Sequence, residues 1–294
     1  MVNLGQPGDA PSATAGGAPP GDGRDQQGSA DGSALLQLRG IGKNFGPVHA
    51  LTNVDLDIPA GQVTALVGDN GAGKTTLIKC IAGIWEPSGG EIRWDGHPVH
   101  IRSPKDASAL GIATVYQDLA LCDNLDIVQN MMLGHEELKF GFMDEISMEQ
   151  TAKQTLKDLA VTTVRSVRQT VGSLSGGQRQ SVAVAKAVML EARLVIMDEP
   201  TAALGVSQTE LVLSLITRLA GRGHAVVVIS HNLNDVFRVA DRIAVLYLGQ
   251  LVAQGPTTEF DPQSVVEIMT TGTSSRRGNG NQAAVPRGSD GLEG

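Results

Sequence analysis

The chain has 294 residues, of which 41% are hydrophobic and only 3% aromatic, so a buried core must be built mainly from aliphatic side chains. Its formal net charge of −8 argues against a basic protein that coats nucleic acid and against attraction to anionic lipid. Two cysteines, Cys80 and Cys122, are too few for a disulfide scaffold and fit a reducing compartment, and no apolar run approaches the ~18 residues that a membrane span needs.

The two ends of the chain differ in composition from its middle. Residues 1–33 are dominated by Gly, Ala, Pro and Ser, and residues 272–294 by Gly, Ser, Arg and Asn. Such stretches bury too little surface to offset their ordering entropy, so we expect disordered N-terminal and C-terminal tails. The N-terminal stretch also lacks the hydrophobic region of a signal peptide. The folded body is then expected at residues 34–271.

Strand and helix patterns alternate along this body. Short apolar or alternating runs predict strands, in chain order, at residues 35–38, 54–58, 63–67, 91–94, 112–116, 194–197, 225–229 and 243–246. Helical patterns run from the glycines after residue 67 to Ala82, over residues 127–157, and over residues 175–190. Continuous apolar strands separated by helices indicate an α/β fold with a parallel sheet covered on both faces. The helical stretch near residues 125–170 is expected to be an inserted subdomain.

A glycine-rich sequence follows the predicted strand 63–67. Residues 68–75 read G-D-N-G-A-G-K-T and match the phosphate-binding P-loop pattern G-x-x-x-x-G-K-[ST]. Glycines let the backbone approach phosphate oxygens, and the following helix adds its positive end. Lys74 would supply a charge for the β- and γ-phosphates and Thr75 a hydroxyl for Mg²⁺. The strand–loop–helix context favours this interpretation over a chance glycine-rich turn.

A second motif places two carboxylates at the end of the predicted strand 194–197. Asp198 would lie near the P-loop and hold Mg²⁺ through water, and Glu199 would polarise an attacking water. Without the P-loop, such an acidic pair would more often be a solvated loop.

A third motif, L-S-G-G-Q at residues 174–178, opens the helix predicted over 175–190. Ser175 and the two glycines at a helix N-terminus would form a second anion site. An ordinary helix cap by Ser175 explains these residues equally well.

These three motifs, in this order and spacing, resemble the ATP-binding-cassette (ABC) ATPases over roughly residues 35–255, and residues 174–178 match the signature sequence of that family in full. The resemblance implies an α/β P-loop NTPase fold of the ABC ATPase type, with a mixed β core. It also implies an ABC ATPase domain at residues 34–271, with a helical subdomain at about 118–190. ATP and Mg²⁺ are the implied cofactors.

The resemblance also assigns roles to single residues. Phe45 matches the aromatic residue that stacks on adenine, Gln117 the glutamine that senses the γ-phosphate and Mg²⁺, and His231 the histidine that contacts the γ-phosphate. The implied catalytic residues are Glu199, His231 and Gln117, and the implied Mg²⁺ ligands are Thr75, Gln117 and Asp198. The implied nucleotide-binding residues are Phe45, Gly68, Asp69, Asn70, Gly71, Ala72, Gly73, Lys74, Thr75, Thr76, Ser175, Gly176, Gly177 and Gln178.

Cassettes of this family pair head to tail around two ATP molecules, so the resemblance implies a second copy of the chain as a partner. Ser175, Gly177 and Gln178 of one subunit would then face the γ-phosphate bound by Lys74 of the other. One position departs from the family pattern, because Gly205 stands where an aspartate usually closes the loop after Glu199. This departure puts in doubt how the two ATP sites communicate.

Residues 115–126, 200–205 and 229–233 resemble the cassettes of monosaccharide importers of the ribose, xylose and fructose type, in which Gly205 is a subgroup trait. The implied function is an ATP-hydrolysing subunit at the cytoplasmic face of the membrane, peripheral to it. It would power separate integral-membrane permease subunits and depend indirectly on an extracytoplasmic sugar-binding protein, with no nucleic-acid partner. Two alternatives stay open: a soluble, non-transport ABC ATPase that acts as a nucleotide-driven switch on a ribosome or DNA, and a regulator that binds ATP but scarcely hydrolyses it.

Overall fold

The computed structural model describes residues 34–273. The predicted N-terminal tail, and all but the first two residues of the predicted C-terminal tail, lie outside the described residues. The strands are β1 (Ala34–Phe45), β2 (Val48–Pro59), β3 (Val63–Val67), β4 (Gly89–Trp94), β5 (His97–Val99), β6 (Ile112–Val115), β7 (Leu138–Lys139), β8 (Phe142–Met143), β9 (Leu194–Asp198), β10 (Ala225–Ile229), β11 (Arg242–Tyr247) and β12 (Gln250–Pro256). The α-helices are α1 (Lys74–Ile81), α2 (Pro104–Ala109), α3 (Ile127–Met132), α4 (Glu145–Asp158), α5 (Gly176–Met189), α6 (Val206–Gly221), α7 (Leu233–Val239) and α8 (Pro262–Thr271).

Two sheets form the centre of the fold. The larger has the order β12-β11-β3-β10-β9-β6, in which β12 runs antiparallel to β11 and the other neighbours are parallel. The smaller is antiparallel, with the order β2-β1-β4-β5. The predicted α/β class and mixed β core are therefore confirmed. The antiparallel edge strand and β5 were not predicted.

The central parallel strands are apolar because both of their faces are covered. In β9, Val195 and Met197 pack in the cluster that includes residues of α5 and α6. Leu194 and Ile196, which point to the opposite face, pack in the cluster that holds α1 and the antiparallel sheet. Every residue of β3 and β10 is buried, as expected for parallel strands between two layers.

The region of residues 118–190 contains α3, α4 and α5. The helix predicted over residues 127–157 is interrupted in the structure by a hairpin of β7 and β8, which the sequence pattern did not predict. The hairpin turns at Phe140 and Gly141, which both have positive φ. The apolar residues of α3 and α4 belong to the same cluster as α6 and β9. The limits of an inserted helical subdomain therefore stay a prediction. None of the helices between residues 34 and 273 has the length and apolarity to cross a membrane.

Candidate active site

Three adjacent parallel strands bring the sequence motifs to one edge of the large sheet. Leu66 of β3 pairs with Ile229 of β10, and Ile229 pairs with Asp198 of β9. The segments that follow these strands are the P-loop, the His231 loop and the Glu199 loop. Since parallel strands end at the same edge, the register alone gathers the three motifs.

The P-loop requires glycine at two positions because the chain passes close to other backbone there. A Cβ on Gly68 would lie 2.4 Å from the carbonyl oxygen of Leu246, and one on Gly73 would lie 2.9 Å from that of Ala50. Gly73 is the N-cap of α1, has a φ of 104° and supplies no side-chain cap. The first N–H groups of α1 are therefore left for another acceptor, as in an anion site.

A cavity of about 440 Å³ lies over this loop. Residues 70–76 form one wall, and residues 48–50 with Leu248 and Gly249 form the other. The second wall was not predicted from the sequence. The sequence feature that could have indicated this wall is Gly249, because a Cβ at that position would lie 2.7 Å from the carbonyl oxygen of Ala50.

Lys74 reaches back over its own loop. Its Nζ donates to the carbonyl oxygens of Gly68 at 2.7 Å and Asp69 at 3.0 Å. Burial lowers the pKa of Lys74, while the nearby negative charges of Glu199, Asp69 and Asp198 oppose that shift. The ammonium group thus lies between the carbonyl oxygens of its own loop and the acidic end of β9.

Asp198 is a half-buried carboxylate at the end of β9. Burial first, and then repulsion from Glu199, raise its pKa, while Lys74 and Lys79 oppose the rise. A raised carboxyl pKa means that this environment disfavours the ionised form of Asp198. A further cation nearby would stabilise that ionised form.

Gln117 lies two residues beyond β6, whose Val115 pairs with Met197 of β9. The register therefore places this exposed residue at the same sheet edge as Asp198.

Glu199 has an unusual backbone. Its φ of 49° lies in the left-handed region, and its N–H donates to the carbonyl oxygen of Ile229 at 2.9 Å. Its Oε2 is 2.9 Å from Nδ1 of His231. The Glu199 side chain is 18% exposed and that of His231 is 72% exposed. A carboxylate and an imidazole thus meet at the same sheet edge as the P-loop, although neither lines the cavity, and this arrangement is able to accept a proton from water.

Phe45 lies beside the cavity rather than in its wall. It pairs with Val48, which does line the cavity. Its ring is 41% exposed and packs edge-to-face on Trp85 with centroids 4.8 Å apart.

The signature residues 175–178 begin α5 and do not line the cavity of their own chain. Ser175 and Gln178 form a capping box, in which the Ser175 N–H donates to Gln178 Oε1 at 2.9 Å and the Gln178 N–H donates to Ser175 Oγ at 3.4 Å. Gln178 Nε2 also donates to the carbonyl oxygen of Thr163 at 2.6 Å. The glycines let α5 approach α6 and the loop before it: a Cβ on Gly177 would lie 3.0 Å from Cβ of Gln208 in α6, and one on Gly176 would lie 2.7 Å from a methyl of Leu204 in the loop. The ordinary helix cap by Ser175, which the sequence allowed as an alternative to an anion site, is therefore present.

Comparison with protein families finds one model, described as ABC transporter, which matches residues 51–202. The chain is 45% identical over 243 residues to the fructose import ATP-binding protein FrcA of Rhizobium meliloti, covering 80% of this chain and 94% of that protein. It is 43% identical over 239 residues to the xylose/arabinose import ATP-binding protein XylG of Sulfolobus acidocaldarius, covering 81% and 95%. It is 41% identical to the ribose import ATP-binding protein RbsA of Chromobacterium violaceum, covering 80% of this chain but only 46% of that protein.

Solved structures of similar fold include a nucleotide-free ATP-binding cassette from an ABC transporter. It has a TM-score of 0.69 and 26% identity, and the match covers 80% of this chain and 98% of that one. A dimeric post-hydrolysis state of the cassette MJ0796, bound to ADP and Pi, has a TM-score of 0.64 and 26% identity over 76% and 99% of the two chains.

Proposed function

Because the chain belongs to the ABC transporter family, we propose that it is the ATP-binding and ATP-hydrolysing subunit of an importer whose cargo is a simple sugar. The observation that supports hydrolysis is the meeting of the P-loop, Asp198 and the Glu199–His231 pair at one sheet edge. The sugar is proposed from relatives named for fructose, xylose/arabinose and ribose import.

In this proposal the backbone of residues 68–73 and the first turn of α1, including Thr76, hold the phosphates, and Lys74 neutralises their charge. Glu199 accepts a proton from the attacking water, and His231 contacts the γ-phosphate while its ring is oriented by Glu199. The half-exposed ring of Phe45, next to Val48 in the cavity wall, offers a face for adenine.

Mg²⁺ fits the oxygen donors at this edge of the sheet. Thr75 offers a hydroxyl, Gln117 an amide oxygen and Asp198 a carboxylate that a cation would stabilise. Within residues 34–273 no cluster of three or more His, Cys, Asp or Glu could hold a metal without help. In the proposed site Mg²⁺ would use few protein ligands and complete its coordination shell with phosphate and water. The ion would supply positive charge to the β- and γ-phosphate oxygens.

A second copy of the chain would complete the site. Ser175, Gly176, Gly177 and Gln178 lie away from the cavity of their own chain, and a head-to-tail dimer would present them to the phosphates bound by the partner. The similarity to a dimeric cassette bound to ADP and Pi supports this arrangement.

The remaining proposed partners are the proteins that an importer of this kind requires. Integral-membrane permease subunits would bind the helical region of residues 118–190 at the cytoplasmic face, and an extracytoplasmic sugar-binding protein would deliver the cargo. The net charge of −8 gives no reason to propose a nucleic-acid partner. A soluble switch is not favoured, because relatives at 41–45% identity are named as import proteins.

Affinity capture of tagged Glu199→Gln chain from detergent-solubilised membranes, in ATP, tests the import proposal, with the untagged chain as control. We expect a polytopic permease, and uptake of its sugar should be lost in a host carrying Lys74→Met but kept in one carrying Lys105→Met, an exposed residue of α2 outside residues 118–190. Recovery of soluble partners alone, or uptake that survives Lys74→Met, would contradict import.

A further inference from the structure

A buried carboxylate lies behind the Glu199–His231 pair. Asp235 is only 7% exposed, and its Oδ2 accepts hydrogen bonds from Thr201 Oγ1 at 2.8 Å and Asn232 Nδ2 at 3.0 Å. Thr201 is two residues after Glu199, and Asn232 directly follows His231. We propose that Asp235 is a positioning residue that fixes Glu199 and His231 relative to each other through these two bonds. The proposal rests on the roles proposed above for that pair.

The Glu199 side of this link is a turn that needs support from outside. Glu199 and Ala203 both have positive φ, at 49° and 60°, a region unfavourable for residues with a Cβ. Inside the turn two backbone bonds are formed, from Ala202 N–H to the Glu199 oxygen at 3.1 Å and from Leu204 N–H to the Thr201 oxygen at 3.3 Å. The Thr201 hydroxyl lies at the centre of this turn and ties it to α7.

The His231 side is fixed by Asn232, the N-cap of α7. Asn232 Oδ1 accepts from the Asn234 N–H at 3.1 Å, and the Asn232 N–H donates to Ser230 Oγ at 3.0 Å. The remaining polar group of the Asn232 side chain, its amide Nδ2, donates to Asp235. One carboxylate oxygen therefore joins the two loops that carry the catalytic pair.

An ordinary helix-capping role does not account for these contacts. Asp235 is the third residue of α7, a position from which an acidic side chain often accepts from the N-cap N–H. Asp106, at the same position of α2, accepts in this way from the Ser103 N–H at 3.0 Å. In α7 the Asn232 N–H bonds to Ser230 instead, and the carboxylate is directed to side chains on both loops.

Thr201→Val removes the hydroxyl at nearly constant shape, and Thr201→Ser restores it. Glu210→Gln is the matched control, because the Glu210–Arg238 pair joins α6 to α7 on the exposed surface at 2.6 and 2.7 Å without touching either loop. For Thr201→Val we expect kcat for ATP hydrolysis to fall about tenfold or more while KM stays within about twofold. Thr201→Ser and Glu210→Gln should keep the wild-type kcat. Equal kcat values for Thr201→Val and Thr201→Ser, together with a His231 ring resonance that does not differ between them, would overturn the proposal.

Nitrogen NMR of the His231 ring gives a readout independent of turnover. The Nδ1 resonance should move in Thr201→Val and return in Thr201→Ser, whether or not Glu199 is the catalytic base. An unmoved resonance would overturn the positioning role, whereas a moved resonance with an unchanged kcat would instead contradict the proposed role of the pair in hydrolysis.

Asp235→Ala provides a second variant in case Thr201→Val does not fold. It should also lower kcat and move the His231 resonance. The double variant should lose no more than Asp235→Ala alone, because both single variants remove the Thr201–Asp235 bond and Asp235→Ala also removes the bond from Asn232. Fully additive losses would show that the two residues act separately and would overturn the proposal.

Discussion

His231 Nδ1 and Glu199 Oε2 lie 2.9 Å apart at the ends of two adjacent parallel strands, β10 and β9. The contact joins an exposed imidazole to a largely buried carboxylate, so each side chain limits the orientation of the other. A hydrolytic role for either residue therefore involves both. The contact arises from register, since Ile229 and Asp198 are paired and the two residues follow them closely in the chain.

Replacing His231 with alanine should reduce turnover more than binding. Loss of the 2.9 Å contact with His231 Nδ1 leaves the Glu199 carboxylate without its orienting partner, so kcat should fall about tenfold or more. ATP affinity should fall less than turnover, because the P-loop is untouched and only the proposed contact of His231 with the γ-phosphate is lost. Phosphate release and a fluorescent-nucleotide titration measure the two effects. His97→Ala, on the exposed strand β5, is the control, and equal rates for both variants would contradict the assignment.

Lys74→Met should weaken nucleotide binding. Removing a charged donor that faces phosphate costs about 1.5–3 kcal/mol, or roughly tenfold to a hundredfold in Kd. Equilibrium titration with a labelled ATP analogue tests this expectation, with Lys153→Met as the surface control. If both variants bind like the wild type, the P-loop is not the phosphate site.

Asp198→Asn should stabilise the fold at neutral pH. The pKa of Asp198 is raised above its ordinary value of 3.8, so the folded protein holds this proton more tightly than the unfolded chain does. The stability contribution of Asp198 therefore falls as pH rises from 3.8 through the raised pKa. The gain in free energy of unfolding from the substitution should be near zero at low pH and reach a plateau above that range.

Chemical denaturation at several pH values measures this gain. Asp95→Asn is the control of opposite sign, because the hydrogen bond from Arg193 lowers the pKa of Asp95, and its stabilising effect is present above its ordinary pKa and lost as pH falls. Destabilisation by both substitutions at neutral pH would contradict the conclusion that the environment of Asp198 disfavours its ionised carboxylate.

Gly177→Ala should destabilise the protein by about 1–3 kcal/mol, because its Cβ would meet Gln208 atoms that include backbone. Gly205→Asp should act in the opposite direction. Gly205 caps α6 with a φ of −73°, has open space and supplies no side-chain bond, so an aspartate adds a cap that is worth a few tenths of a kcal/mol. Thermal unfolding distinguishes the two, and equal stability for the variants would contradict the close packing of α5 on α6.

The sequence predicted the parallel core because buried strands leave a direct signal. The predicted strands 63–67 and 225–229 agree with β3 and β10 to the residue, and the P-loop stands between β3 and α1 as expected. The helix α5 begins one residue after its predicted cap, Ser175. Local pattern and local chemistry determine these elements.

Other features depend on contacts between distant segments. The β7–β8 hairpin was missed because its apolar residues interrupt a helical pattern without burying a face: Phe140 is 92% exposed. The cavity wall at Leu248 and Gly249 was missed because it forms by the approach of the β11–β12 turn to Ala50. Asp235 gave no signal at all, since its role depends on a bond to a residue 34 positions away.

In the proposed mechanism, Glu199 activates water for hydrolysis of ATP held by the P-loop. Phosphate release by the wild type and by Glu199→Gln, with ATP binding measured in parallel, tests it most directly. We expect similar ATP affinity and a loss of turnover of about a hundredfold or more for Glu199→Gln, because a general base is removed. Phosphate release by Glu199→Gln at the wild-type rate would contradict it.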